Sequence, residues 1–330
     1  MKRYYVELTG VGRSEVKCEE IDVSDLKEDE VLIKSEYSLI SAGTELSRAF
    51  GLKKGFSYPV RPGYSTVGRI IKAGEKSGYK EGQRVFANCP HGSIIRWKQG
   101  QSVQEPMILP LPEDIDPIEA TALNLIFVAM QGVNLTEVKL GYKAAVFGLG
   151  NIGILTAVLY KKLGVKVVGL DIEEGRLKLA NKFGIDTVLS LEENIRKLPE
   201  FDICVDVSGL SLVIMSAIDK TMHYGQVLLL GSPRESYETD ITASFSKVHM
   251  KNLKVIGAFN QTIPLKPVDG SKNSLQNNFE TTLELLRNRD LEINKLITKV
   301  VDPKECQKAY YDLMYKKSEN NCIVFDWRNY

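Results

Sequence analysis

The sequence is poor in the residue types that build metal sites and disulfides. Its 330 residues include only three histidines, and the five cysteines are widely spaced, odd in number and without a CxxC pair. This cysteine usage predicts reduced thiols in a cytoplasmic protein and argues against a disulfide framework. It also leaves few candidate ligands for a zinc site built by the protein itself.

Long apolar runs and blocks of one charge are lacking as well. No apolar run reaches the length that spans a bilayer, and the N-terminal stretch MKRYYVELTG lacks the apolar core of a signal peptide. The net charge is +1, and no basic block or stripe stands out. We therefore predict that the protein has neither membrane nor nucleic-acid partners.

The sequence does contain two kinds of pattern, which predict two domains of an α/β protein. Residues 1–117 show short alternating segments separated by glycine turns, which is typical of a β-rich, partly barrel-like unit. In residues 118–261, short apolar strands alternate with helices, which predicts a doubly wound parallel sheet. Residues 262–330 hold two amphipathic helices and end in the strand-like CIVFDW. We expect this last segment to join residues 1–117 in one discontinuous domain.

A glycine-rich motif opens the predicted parallel sheet. The segment GLGNIG fits the pattern GxGxxG, follows an apolar strand and begins a helix, which is the context that gives the motif its meaning. Gly148 would make the tight turn, Gly150 would let the backbone approach a pyrophosphate, and Gly153 would let the helix pack closely. The first helical residues, Asn151 and Ile152, would present free N–H groups to the phosphates.

An acidic residue ends the second strand of this unit, as dinucleotide binding requires. The carboxylate of Asp171 can accept hydrogen bonds from both adenine-ribose hydroxyls and would repel a 2′-phosphate, which favours NAD(H) over NADP(H). Arg176 could stack near the adenine or could be a solvated helix residue. Two later strands end at Gly231-Ser232 and at Ala258. Their backbone groups could hold the nicotinamide carboxamide, or could be ordinary strand ends.

Four segments carry a family resemblance when taken in order: SAGTE, PVRPGYSTVGRI, GYKEGQRVFA and VFGLGNIG. With these segments the chain resembles the medium-chain dehydrogenase/reductase superfamily, of the alcohol dehydrogenase type. The resemblance implies a GroES-like catalytic domain plus a Rossmann domain, with the active site in the cleft between them. It also implies a homo-oligomer, dimer or tetramer, often formed by pairing of Rossmann edge strands.

The chain departs from the zinc-dependent members of this superfamily at the ligand positions. Where those members carry a cysteine before Gly-Thr-Asp, this chain has Ala42, and where they carry a histidine it has Tyr64. Their third ligand lies near Leu125. The resemblance therefore implies a member without zinc. It is most similar to a zinc-lacking branch found in sugar, cyclitol and polysaccharide pathways, which also resembles a dehydrogenase of bacteriochlorophyll synthesis.

Without zinc, hydrogen-bond donors have to manage the substrate proton and the charge on the substrate oxygen. Tyr64 could relay the proton or could only fill the space left by the metal. Thr44 matches the family position whose hydroxyl relays the proton. Glu45, at the neighbouring acidic position, could orient Tyr64, act as a base or be structural. His91 lies on a loop that resembles a substrate-facing loop, or is simply polar surface.

Further polar residues could line the same pocket, namely Ser41, Ser65 and Asn124. A polar pocket suits a polyol, sugar or cyclitol better than an apolar alcohol. The sequence therefore predicts an NAD-dependent enzyme that interconverts a secondary alcohol and a ketone. Two alternatives stay open: a zinc-free enoyl or quinone reductase, and a non-catalytic NAD-binding protein.

Overall fold

The computed structural model describes residues 1–52, 55–102, 104–268 and 273–330. The chain forms two compact units. Unit 1 comprises Met1–Asn124 and Pro264–Tyr330, and unit 2 comprises Leu125–Ile263. The sequence pattern placed the first boundary a few residues earlier. The division instead falls inside a continuous apolar helix, Leu123–Asn134, whose sequence has no break to mark it.

The elements are numbered in chain order. The strands are β1 (Lys2–Gly10), β2 (Arg13–Glu20), β3 (Glu30–Leu39), β4 (Thr66–Ala73), β5 (Arg84–Ala87), β6 (Ile94–Lys98), β7 (Ile108–Pro110), β8 (Lys143–Phe147), β9 (Lys166–Asp171), β10 (Asp186–Leu189), β11 (Phe201–Asp206), β12 (Thr221–Leu229), β13 (Lys254–Gly257), β14 (Ile297–Val301) and β15 (Cys322–Asp326). The α-helices are α1 (Ala42–Ala49), α2 (Pro117–Ala120), α3 (Leu123–Asn134), α4 (Asn151–Lys162), α5 (Glu174–Asn181), α6 (Glu192–Lys197), α7 (Ser211–Lys220), α8 (Ile241–Met250), α9 (Leu275–Arg287) and α10 (Cys306–Tyr315). Short 3-10 helices occupy Asn260–Thr262, Ile293–Lys295 and Pro303–Glu305.

Unit 1 is β-rich and is closed by the C-terminal segment of the chain. Its larger sheet has the strand order β14-β15-β3-β4-β5-β7, with β6 also paired to β3, and β1 pairs with β2 in a separate antiparallel ribbon. The strand β15 pairs antiparallel with β3, so the last strand of the chain lies beside one of the first. One core cluster joins Val6 and Leu8 of β1 to Tyr310, Phe325 and Trp327.

Unit 2 is a six-stranded sheet in the order β10-β9-β8-β11-β12-β13, and every pairing in it is parallel. Its central strands are apolar because helices cover both faces of such a sheet. The order reverses between β8 and β11, so the loops after these strands diverge at the carboxyl edge, where doubly wound sheets bind ligands. The predicted fold class, a β-rich unit with a doubly wound parallel-sheet unit, is confirmed.

The strand at one edge of this sheet is largely uncovered. Three of the four residues of β13 are exposed, and β13 pairs on one side with β12. The expected homo-oligomer, formed by pairing of such edges, stays a prediction. Among the helices that the structure describes, none is both long and apolar enough to cross a membrane.

Candidate active site

Three hydroxyl groups of unit 1 form a connected cluster, which we call the hydroxyl cluster: Ser41, Thr44 and Tyr64. Ser41 precedes α1, Thr44 lies in its first turn, and Tyr64 lies on the turn before β4. The Ser41 and Tyr64 hydroxyls are hydrogen-bonded, and the Tyr64 hydroxyl donates to Thr44 Oγ1 at 3.3 Å. Ser41 is buried and Thr44 is exposed. The cluster therefore leads from the interior to a hydroxyl at the surface.

The turn that carries Tyr64 depends on a glycine. Gly63 has a φ of +103°, and a Cβ at this position would lie 2.6 Å from the backbone nitrogen of His91. The His91 N–H donates to Pro62 O at 2.9 Å, so the two loops touch through their backbones. A residue with a side chain at position 63 would separate them and move Tyr64.

Two of the predicted substrate-contacting residues hold this turn in place. Asn124 Nδ2 donates to the backbone carbonyl of Tyr64. The hydroxyl of Ser65 donates to the carbonyl of Thr121 at 2.9 Å, and Ser65 is 1 % exposed. The structure thus brings Ser41, Thr44, Ser65, Asn124 and Tyr64 together. The polar groups of Ser65 and Asn124 bond to backbone, and contact with a substrate stays a prediction for both.

The Tyr64 phenol stays protonated near neutral pH. Burial raises its pKa, and the hydrogen bonds that it shares with Ser41 and Thr44 offset this only in part. A protonated phenol donates a hydrogen bond and does not act as a base. Its single proton points to Thr44, which leaves the Thr44 hydroxyl proton available to an external acceptor.

Behind the hydroxyl cluster lies a buried carboxylate, Glu45, which is 1 % exposed. One oxygen accepts the Ser41 N–H at 2.8 Å. The other accepts the Tyr310 hydroxyl at 2.6 Å and meets His91 Nε2 at 2.9 Å. A buried carboxylate is tolerated only with such partners, because desolvation of the charge is costly. Glu45 reaches Tyr64 through Ser41, whose backbone N–H donates to Glu45 and whose hydroxyl bonds to Tyr64.

The proton on His91 can be placed from its neighbours. Its Nδ1 lies 2.7 Å from Ser38 Oγ, and Trp327 Nε1 donates to the same oxygen at 2.8 Å. Because an indole only donates, the Ser38 proton is free to point at His91 Nδ1. The imidazole proton then lies on Nε2 and points at Glu45. The chain of donors runs from Trp327 through Ser38 and His91 to Glu45.

This placement corrects one interpretation of the loop histidine. His91 is 0 % exposed and packs edge-on to Phe325 at 5.1 Å, so it is not polar surface. Both ring nitrogens already have partners. We interpret His91 as a positioning residue that acts through Glu45. Its burial argues against direct contact with a substrate, which stays a prediction.

Sequence reasoning missed three members of this buried network: Ser38, Tyr310 and Trp327. Burial and the neighbouring carboxylate raise the pKa of Tyr310 well above its usual value, so it remains a donor to Glu45. Tyr310 lies 265 positions after Glu45. The closing segment CIVFDW predicted a strand, but nothing in it signalled that Trp327 donates to Ser38.

In unit 2, the glycine loop has the geometry that its sequence predicts. Gly148 has a φ of +100°, and a Cβ on Gly153 would lie 1.8 Å from Gly148 O, so both positions need glycine. Gly150 precedes α4, and a Cβ there would meet nothing within 4 Å. The space beside Gly150 is therefore open, and the contacts of Asn151 and Ile152 with a cofactor stay predictions. A pyrophosphate at the helix N-terminus would fit this loop.

Asp171 links the second strand of the sheet to the same loop. One carboxylate oxygen accepts the Leu149 N–H at 2.7 Å, and the other accepts the Glu173 N–H at 2.9 Å. Arg176 Nη1 lies 3.4 Å from the first oxygen, so Arg176 is an ion-pair partner of Asp171 and is half-buried. Its contact with adenine stays a prediction.

Two of the other residues predicted to bind the cofactor, Gly231 and Ala258, have structural roles in unit 2. A Cβ on Gly231 would lie 2.4 Å from Gly209 N, so close backbone packing requires this glycine. The N–H of Ala258 donates to Leu229 O at 3.1 Å, and Ser232 is exposed. Contacts of Gly231, Ser232 and Ala258 with a nicotinamide stay predictions.

The sequence patterns did not point to one acidic residue at the carboxyl edge of the parallel sheet, Asp206. Asp206, at the end of β11, accepts hydrogen bonds from the Ser208 N–H and hydroxyl and from the Gly209 N–H. Burial raises its pKa. It shapes the loop next to Gly148, since a Cβ on Gly148 would lie 3.4 Å from Ser208 N. Its signal in the sequence is its place at the end of FDICVD, two residues before a serine that is followed by a glycine.

Within the described parts of the chain, no group of three or more His, Cys, Asp or Glu side chains is arranged to hold a metal ion. Around Tyr64 the donors are the hydroxyls of Ser41 and Thr44, and the nearby Glu45 oxygens already accept hydrogen bonds. These donors do not fit zinc, which prefers thiolate, imidazole and free carboxylate ligands.

Two family models match the chain. The model described as the alcohol dehydrogenase GroES-like domain matches residues 27–107. The model described as zinc-binding dehydrogenase matches residues 151–286. Together they account for parts of both units.

Individual proteins extend this similarity to nearly the full chain. The sorbitol dehydrogenase of Bombyx mori is 26% identical over 294 residues, which covers 75% of this chain and 82% of the relative. The crystal structure of galactitol-1-phosphate dehydrogenase from Escherichia coli superposes with a TM-score of 0.81 at 20% identity, covering 98% and 99% of the two chains. An NADP-bound dehydrogenase from Sinorhizobium meliloti 1021 gives a TM-score of 0.79 at 17% identity, covering 99% of each chain. At such identities the structures establish the fold alone.

Proposed function

We propose that the chain is a member of the medium-chain dehydrogenase/reductase superfamily and, from this premise, an NAD(H)-dependent oxidoreductase that works without zinc. The reaction interconverts a secondary alcohol and a ketone on a polyol, sugar or cyclitol-like substrate. The observation that carries the proposal is the hydroxyl cluster, which ends at the exposed Thr44. The sorbitol dehydrogenase relative supports the polyol class.

The hydroxyl cluster can take over the proton chemistry of the reaction. The substrate oxygen would lie at Thr44 Oγ1, and Tyr64 donates to Thr44 from behind. In ketone reduction, Thr44 would give its proton to the substrate oxygen and take the Tyr64 proton in turn, and solvent would return a proton to the half-buried phenol. In alcohol oxidation the same protons would move back and one proton would leave to solvent. Bound NADH would supply the hydride in reduction, and bound NAD would accept it in oxidation. Hydrogen bonds aimed at the oxygen stabilise its developing charge as a preorganised donor set does.

The NAD preference rests on the buried carboxylate of Asp171. It is 5 % exposed and already bonded to the glycine loop through Leu149, so its position is fixed before a cofactor binds. A fixed carboxylate at this strand end accepts hydrogen bonds from ribose hydroxyls and repels a 2′-phosphate. Gly148, Gly150 and Gly153 would hold the pyrophosphate.

Metal analysis tests the zinc-free part of the proposal. We expect purified protein to contain far less than one zinc per chain, and treatment with a chelator to leave turnover unchanged. The reason is that, among the residues that the structure describes, the side chains bonded to the Tyr64 hydroxyl are the hydroxyls of Ser41 and Thr44, which are poor zinc ligands. Zinc bound in stoichiometric amount, with activity lost on its removal and restored on its return, would contradict this part and leave the NAD assignment standing.

A substrate panel tests the reaction itself. We expect turnover with NAD on polyols and cyclitols, or with NADH on the matching ketones. Turnover restricted to quinones and enones with NADPH would establish the reductase alternative instead. A third outcome is tight NADH binding, made tighter by polyols, with no turnover on either panel. That result would establish a non-catalytic NAD-binding protein.

A further inference from the structure

The arginine one turn along α1 from the hydroxyl cluster, Arg48, has an unusual environment. Its side chain is half-buried, and the guanidinium carbon lies 5.0 Å from the centre of the Phe56 ring. The backbone at this point is held too, because the Arg48 carbonyl accepts the Tyr58 hydroxyl at 2.5 Å. The cation is therefore presented from a fixed helix end and rests against an aromatic face.

Half-buried arginines elsewhere in the chain all have carboxylate partners. The pairs are Arg3–Glu19, Arg69–Glu36, Arg84–Glu36, Arg96–Asp25 and Arg176–Asp171. Arg48 forms no ion pair with any Asp or Glu that the structure describes. Partial burial of a charge without a counter-charge costs free energy, so an unpaired guanidinium in this setting needs another explanation.

The position of Arg48 relative to the hydroxyl cluster suggests an explanation for its unpaired charge. Thr44 and Arg48 are four residues apart on α1, so they share one face of the helix, with Cβ atoms about 5–6 Å apart. The charge of Arg48 also acts on Tyr64, where it works against the rise in the phenol pKa that burial causes. The exposed Thr44 and the unpaired Arg48 thus lie on one face of α1.

We propose that Arg48 binds an anionic group, a phosphate ester or a carboxylate, carried by the same small molecule whose hydroxyl meets Thr44. This inference rests on the proposed function and narrows it, from polyols in general to polyol phosphates and sugar acids. One helical turn is about 5.4 Å, a distance that a few carbons of an extended chain cover. The reacting carbon and the anion would then be separate parts of one substrate.

The chemistry of the guanidinium selects this class. Its planar donors match the two oxygens of a carboxylate or phosphate and give strong, charge-assisted hydrogen bonds. A neutral polyol leaves the cation unpaired, and a cationic substrate is repelled. Quinones and simple enones offer no anion to this position.

The test compares three substrates of one carbon skeleton: a hexitol, its terminal phosphate ester and the matching hexonate. Binding to the NADH-loaded protein is measured by calorimetry, and turnover is measured separately. We expect at least one of the two anionic probes to bind the native protein more tightly than the hexitol. Arg48→Gln should weaken the binding of that probe by about 10- to 100-fold, which is the range for loss of a hydrogen bond to a charged group. The affinity for the hexitol should not change.

Arg13→Gln is the matched control, because Arg13 is an exposed arginine of β2 and its loss changes the net charge equally. Weakening by Arg48→Gln that Arg13→Gln reproduces, or no preference for either anionic probe, or no binding of either, overturns the inference. Comparing the phosphate with the carboxylate identifies which anion is used.

The binding arm separates this inference from the proposed reaction. Anion-selective binding that depends on Arg48, without turnover of any probe, would contradict the proposed dehydrogenase reaction and support the anion site at Arg48. Equal turnover of neutral and anionic probes would support the reaction and contradict the anion site.

Discussion

Tyr64→Phe is expected to lower kcat by about 100-fold or more, which is the usual contribution of a positioned proton donor. The substitution removes the hydroxyl that bonds to both Ser41 and Thr44 and keeps the ring. Thr44 then loses the donor that replaces its proton. Affinity for NADH should be unchanged, because the residues proposed to bind the cofactor lie in unit 2. Steady-state kinetics and NADH fluorescence titration measure the two quantities.

Tyr311→Phe serves as the control for Tyr64→Phe. Tyr311 is 49 % exposed on α10, so loss of its hydroxyl should change neither kcat nor stability. If Tyr64→Phe turns over as fast as this control, the phenol only fills space. Proton transfer would then depend on Thr44 alone, and Thr44→Val should abolish it.

Asp171→Ser is expected to weaken the binding of NAD by about 10- to 100-fold, which is the loss of affinity that follows from removing a charge-assisted hydrogen bond. Discrimination against NADP should fall at the same time, because the carboxylate that repels a 2′-phosphate is gone. The comparison to make is the ratio of kcat/KM for NAD and NADP. Asp186→Ser, at an exposed residue of β10, is the control for loss of one acidic charge.

Asp171→Asn separates the two roles of the carboxylate. An amide oxygen can still accept the Leu149 N–H, which keeps the glycine loop tied to β9. We expect Asp171→Asn to relax cofactor discrimination with less loss of NAD affinity than Asp171→Ser. Unchanged discrimination in both variants would remove Asp171 from cofactor selection and leave it a structural role in the loop.

The fold and the conformation of the glycine loop could be predicted because their signals are local in sequence. A buried parallel strand needs a short apolar run, and the turn at Gly148 needs a positive φ, so each leaves a mark within a few residues. The boundary between the two units was harder to predict, since α3 continues through it.

The buried side of the candidate site could not be predicted in the same way. A histidine that bonds to Ser38 and Glu45 in the core has the same neighbours in sequence as one on the surface. The partners of Glu45 become visible only when the last part of the chain is placed against the first. Arg48 carries no local signal either, because what distinguishes it is the lack of a carboxylate partner among the described residues.

The pairing of β15 with β3 has a consequence for synthesis on the ribosome. Glu45 and Ser41 are made before unit 2, and Tyr310 and Trp327 are made after it. During synthesis of unit 2, Glu45 therefore lacks the Tyr310 hydroxyl that donates to it, and Ser38 lacks its Trp327 donor. A nascent or C-terminally shortened chain can contain every residue of the glycine loop and of the hydroxyl cluster, yet lack the Tyr310 donor to Glu45.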